Sequence, residues 1–225
     1  MLANRRSRLK TQFNEFALPG ALLFTSFAVI AAVWMWLGAP VMLARSPADP
    51  VAKLDCVSYA PFRDDQSPFT EGLIVGPEQI AEDLGQLARI SNCVRIYSID
   101  NGLDKVPEIA SRVGLKVILG VWLGRDRIKN VELIETALSL VKAHADVIAS
   151  IVVGSEVLLR GEMTVADLRG FIRSVKSRVT IPVSYADVWE FWLRYREISD
   201  DVDFITVHIL PYWEDFPVRA ELAAA

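Results

Sequence analysis

Two kinds of apolar pattern run along this chain. The first is a single block. Residues 17–44 carry no charge over 28 positions, and Trp34 and Trp36 stand towards its far end. About 20 apolar residues cross a bilayer core as a helix, so the block is long enough to span one. It lacks the polar stripe of a core helix, and indoles concentrate at membrane interfaces. The second pattern is rhythmic. Short runs rich in Val and Ile, at 54–60, 93–98, 115–122, 147–154, 181–186 and 202–210, alternate with amphipathic stretches. Runs apolar on both faces suit a parallel sheet covered by helices.

Helical periodicity lies between these runs. Val131, Ile134, Leu138 and Val141 share one helix face, as do Leu168, Phe171, Ile172 and Val175. Thr164 with Asp167 fits a capping box, which starts a helix at Thr164. Pro77 suits a first helical turn, and Gly114 a helix terminus. Repeated strand–helix units predict an α/β architecture with right-handed crossovers. No G-x-G-x-x-G or P-loop pattern occurs, which removes the usual phosphate-cradling signatures of open sheets. Polar, aromatic or acidic residues stand instead at several strand ends (Tyr59, Tyr97, Glu156, Tyr185, His208 and Tyr212), as in a closed (β/α)8 barrel, a TIM-barrel type.

Charge sharpens the division. Arg5, Arg6, Arg8 and Lys10 precede the apolar block against a single acid, Glu15, while Arg45 and Lys53 follow it. The positive-inside rule then places the N-terminus in the cytoplasm and the body on the other side. The block exceeds the usual length of a signal-peptide core and has no clean small-x-small site, which favours an uncleaved anchor over a cleaved leader. The expected organisation is a basic cytoplasmic segment (1–16), a transmembrane anchor (17–44), a linker (45–53) and a barrel domain (54–225). From residue 45 onward the net charge is −7, with 20 basic and 27 acidic side chains. Such a body has no general electrostatic affinity for nucleic acid.

The candidate chemistry centres on Glu156. It follows an apolar strand that ends in Gly154, so its carboxylate would project into a barrel mouth and could protonate a leaving oxygen. The alternative is a loop ion pair with Arg160. Ser155 has no G-x-S-x-G context. His208 reads as a core or pocket histidine rather than a metal ligand, because no His or Cys partner has suitable spacing. Cys56 and Cys93, near the starts of adjacent strands, are expected as buried thiols, since neighbouring parallel strands rarely offer disulfide geometry. Trp189, Phe191 and Trp192 could be core or could stack on sugars, with Glu190, Glu214 and Asp215 among the possible second carboxylates.

Five segments together carry a resemblance: Ser58-Tyr-Ala-Pro-Phe62, Cys93-Val-Arg-Ile-Tyr-Ser98, Val117-Ile-Leu-Gly-Val-Trp122, Ile151-Val-Val-Gly-Ser-Glu156 and His208-Ile-Leu-Pro-Tyr-Trp213. In this order they resemble glycoside hydrolase family 17, and within it the bacterial branch of β-1,3-glucanases and glucan-modifying enzymes. The resemblance implies a (β/α)8 barrel that hydrolyses or transfers β-1,3-glucosidic bonds with retention. Glu156 matches the acid/base position after strand four. Tyr59, Arg95, Tyr97, Ser155, Tyr185, His208 and Tyr212 would line the sugar site, and β-glucan would be the partner. The chemistry requires no metal or organic cofactor. Two features depart from the family pattern. Ser155 stands where the family usually has Asn, and the Gly-Glu-x-Gly-Trp-Pro nucleophile segment after strand seven does not occur in these 225 residues. The expectation is therefore an incomplete barrel of about six units, C-terminally truncated, on a bacterial inner-membrane anchor, with a glucan transglycosylase or a non-catalytic, carbohydrate-binding remnant as the alternatives to a hydrolase.

Overall fold

Alternating Val/Ile runs and amphipathic helices give a single parallel sheet in a computed structural model that describes residues 3–39 and 53–210. Its strands are β1 (Val57–Ser58), β2 (Cys93–Arg95), β3 (Lys116–Val121), β4 (Ile148–Ser155), β5 (Val183–Val188) and β6 (Thr206–His208), hydrogen-bonded in sequence order. All five pairings are parallel. Six parallel strands in that order form a curled half-barrel. The expected strands all occur, and the outermost ones are shorter than their apolar runs.

The helices between them are α2 (Pro77–Leu87), α3 (Val106–Arg112), α4 (Arg127–Ala143), α5 (Val165–Lys176) and α6 (Trp189–Arg194), with 3-10 turns at Leu103–Lys105 and Arg196–Asp200. α3 and α4 pack on β3, α5 on β4 and β5, and α6 on β5 and β6. Pro77 opens α2, where its missing N–H has no intrahelical partner. Thr164 caps α5, its hydroxyl accepting from the Asp167 amide at 3.1 Å and donating to the Asp167 carboxylate at 2.7 Å. In α4 the buried face is Asn130, Leu133, Ile134, Ala137 and Val141, while Val131 is exposed. The stripe is therefore rotated from the one read in the sequence. Asn130 takes a buried place because its amide exchanges two 2.8 Å hydrogen bonds with the Gly124 backbone, which tethers the loop after β3.

The core lies between sheet and helices, and seven of the eight β4 residues are buried. β2 and β3 approach so closely that a Cβ on Gly120 would stand 2.2 Å from the Ile96 carbonyl oxygen. Cys56 and Cys93 form a disulfide with Cα atoms 4.3 Å apart, which corrects the expectation of free thiols. Val57 pairs with Val94, so the two cysteines sit side by side at the entry to the β1–β2 ladder.

α1 (Ala3–Leu37), with Pro19 inside it, belongs to a unit separate from the sheet. Residues Leu18–Leu37 are long and apolar enough to cross a membrane. Leu22, Leu23, Phe24 and Phe27 are exposed.

Candidate active site

β4 leaves the sheet through an irregular turn. Its pairing with β5 shifts between Val152 and Ser155. Gly154 has φ 88° and Glu156 has φ 55°, so the chain turns left-handed twice within three residues. Glycine adopts that conformation freely, whereas a side chain there is held by its surroundings. The Glu156 amide donates to the Ala186 carbonyl at 2.7 Å. Arg160 fixes the same turn from the other side. Its guanidinium donates to the Ser155 carbonyl, donates to the Leu123 carbonyl at 2.7 Å, lies 4.2 Å over the Trp122 ring and pairs with Glu162 at 2.8 Å. Arg160 is thus engaged with Glu162 rather than with the Glu156 carboxylate, and the loop ion pair considered from sequence does not form.

The Glu156 carboxylate turns instead to His208, the last residue of β6, with Oε1 2.5 Å from Nδ1. Arg95 ends β2, and its two terminal nitrogens lie 3.4 and 3.3 Å from His208 Nε2. The Arg95 guanidinium sits 4.8 Å over the Tyr97 ring. Side chains from the ends of β2, β4 and β6 therefore meet at one point, as alternate strands do at a barrel mouth. Burial pushes the Arg95 pKa down, and the Tyr97 and Glu156 charges oppose that shift. Arg95 Nε is buried with no hydrogen-bond partner among the described residues.

Asp187 lies beneath this cluster, fully buried near the end of β5. It accepts from the Tyr185 hydroxyl and from the Val188 amide at 2.8 Å. Burial raises its pKa, and the like charge of Glu156 adds to the effect. Tyr185 is also buried, and its hydroxyl accepts from the Leu158 amide at 3.2 Å, so it braces the site from below. Burial, with Asp187, pushes the Tyr185 pKa upward.

A cavity of about 350 Å³ opens beside the cluster, lined by Tyr59, Phe62, Phe69, Tyr97, Trp122 and Asp100 among others. Tyr97 belongs to both, since its ring underlies Arg95 and faces the cavity. Tyr59 is mostly buried and donates to Asp83 at 3.0 Å. Ser155 is buried at the end of β4. Tyr212, Glu214 and Asp215 lie outside the described residues. No cluster of three or more His, Cys, Asp or Glu that could hold a metal occurs among the described residues.

The strand-end rule that singled out Glu156 and His208 applies equally to Asp187 and Trp122, and could have found both. The partnership of Glu156 with His208 spans 52 positions and carries no local signal.

Residues 56–225 match the family model of the BtgE/BtgC glycoside hydrolase domain. The chain belongs to that family. Among curated proteins it is 35% identical over 115 residues to "Probable beta-glucosidase btgE" of Aspergillus flavus, covering 49% of this chain and 19% of that protein. It is 32% identical over 148 residues to "Glucan 1,3-beta-glucosidase" of Schizosaccharomyces pombe, covering 59% of this chain and 45% of that one. The chain therefore spans less than half the length of these relatives, and both are fungal. Among solved structures, a glycoside hydrolase family 17 β-1,3-glucanosyltransferase from Rhizomucor miehei superposes with a TM-score of 0.59 at 24% identity, over 72% of this chain and 59% of that one. That likeness establishes the fold.

Proposed function

We propose that this glycoside hydrolase domain acts on β-1,3-glucan with retention, with Glu156 as the acid/base. The observation that carries the reading is the meeting of Glu156, His208 and Arg95 at the ends of alternate strands, beside an aromatic-lined cavity. The fungal relatives named for β-glucosidase and glucan 1,3-β-glucosidase activity supply the substrate class. Retention requires a second carboxyl group about 5–5.5 Å from the acid. Asp187 does not fit that role, because it is fully buried and its oxygens are taken by Tyr185 and the backbone. Hydrolysis and glucan transfer use the same groups and differ in whether water or sugar accepts the glycosyl unit.

In this reading the helix over Leu18–Leu37 anchors the protein, and the body faces an oxidising compartment. The Cys56–Cys93 disulfide supports that side of the membrane. The basic residues Arg5, Arg6, Arg8 and Lys10 ahead of the helix support an N-terminus on the cytoplasmic side.

Binding of laminaritriose, followed by calorimetry on the full chain in detergent micelles, tests the substrate class. The expected result is binding that weakens about 10-fold or more in Trp122→Ala, since covering a large apolar side chain is worth about 1.5–3 kcal/mol. Equal affinity for a β-1,4-linked trisaccharide, or no loss in the variant, contradicts the proposal.

A further inference from the structure

Among the possible proton arrangements at the Glu156–His208–Arg95 cluster, the hydrogen-bonding inventory allows one. Guanidinium nitrogens only donate. Both terminal nitrogens of Arg95 face His208 Nε2, at 3.4 and 3.3 Å, so Nε2 must accept and carries no proton. A neutral imidazole then has its proton on Nδ1. Nδ1 faces Glu156 Oε1 at 2.5 Å and donates to it. An imidazolium would turn a second N–H, and its charge, against the Arg95 cation.

We propose that Arg95 acts through His208 to fix which oxygen of Glu156 carries the transferable proton. This rests on the reading of Glu156 as the acid. With Oε1 accepting from His208, a protonated Glu156 holds its hydrogen on Oε2, the oxygen left free for a leaving group. The opposite tautomer would draw a Glu156 hydroxyl on Oε1 into donating to Nδ1 and withdraw the proton from the substrate. Arg95 is a positioning residue here. It is half-buried, it lies over the Tyr97 ring, and its two terminal nitrogens are spent on a ring nitrogen rather than on a carboxylate. Other ionisable groups close by are Tyr97, whose ring lies under Arg95, Arg160, which pairs with Glu162, and Asp187 and Tyr185 on β5, which are bonded to each other.

The test reads the tautomer directly. The sequence has two histidines, so His144→Gln leaves His208 as the one imidazole. The full chain, labelled with 15N-histidine in micelles at neutral pH, should show a protonated Nδ1 and an imine-type Nε2. Arg95→Met should move the proton to Nε2 in most molecules. Arg95→Lys, which keeps a cationic donor, should restore the Nδ1–H form. A protonated Nε2 with Arg95 intact overturns the proposal, and so does an unchanged tautomer in Arg95→Met. If Arg95→Met fails to fold, the spectrum with Arg95 intact still decides. Failure of the Glu156 assignment in a turnover assay would leave this spectrum as it is, so the two readings fail separately.

Discussion

β4 and the two edge strands are held by different forces. β4 is hydrogen-bonded on both sides and buries seven of its eight residues. β1 has two residues, β6 has three, and each has a neighbour on one side among the described strands. Hydrophobic burial holds the centre. At the β1 edge the Cys56–Cys93 bond does the holding, joined by Lys53 donating to the Ala88 carbonyl at 2.6 Å and Ser91 to the Leu54 carbonyl at 3.2 Å. At the β6 edge Ser184 donates to the Phe204 carbonyl at 2.7 Å, and the Trp192 indole donates to the Thr206 carbonyl at 3.0 Å. The candidate site uses both kinds of strand. Glu156 stands on the rigid centre and His208 on a polar-tethered edge, so their pairing depends on the edge staying in place.

The largest expected effect is at the centre. Ile151, on β4, is fully buried, and Ile151→Ala should destabilise the body by about 3–5 kcal/mol in urea unfolding. Val207, on β6, is 37% exposed, and Val207→Ala should cost about 0.5 kcal/mol or less. Equal costs would remove the distinction between centre and edge.

Cutting the covalent tie comes next. The bridged cysteines are 37 residues apart, and a loop of that size corresponds to about 3–4 kcal/mol of lost unfolded-state entropy. Cys56→Ser with Cys93→Ser should lower stability by that order and should speed amide exchange in β1 before β4. Uniform acceleration across all strands would contradict a local role for the disulfide.

A smaller effect separates two carboxylates by pH. Burial raises the folded-state pKa of Asp187. Its contribution to stability is complete below the unfolded-state value and is lost as pH rises through the raised value. Asp203 runs the other way. Hydrogen bonds from Lys176 and the Val183 amide lower its pKa, so its contribution is present above the unfolded-state value and is lost as pH falls through the lowered one. Denaturation across a pH series should show Asp187→Asn removing the first slope and Asp203→Asn the second. Unaltered slopes in the two variants would contradict these assignments.

The six strands were legible because Val/Ile runs separated by amphipathic segments report a buried parallel sheet. Strand length was less legible at the edges, where the apolar runs 54–60 and 202–210 extend well past the ladder. α3 left no periodic signal, since seven residues are too short for a stripe and Pro107 in its first turn reads as a breaker. In the site, Glu156 and His208 showed through their places at strand ends. The disulfide did not, because side-by-side cysteines on parallel strands are uncommon. Arg160 was visible as a possible partner of Glu156. Its bonds to the Ser155 and Leu123 carbonyls depend on a turn that only the folded chain displays.

The central claim is that Glu156 transfers the proton. Its most direct test is the cleavage of laminari-oligosaccharides by the full chain, in the wild type and in Glu156→Gln. General acid–base catalysis is worth about 10²–10⁴-fold, and a loss of that order in Glu156→Gln is the result predicted here. Cleavage at the wild-type rate in Glu156→Gln would contradict it.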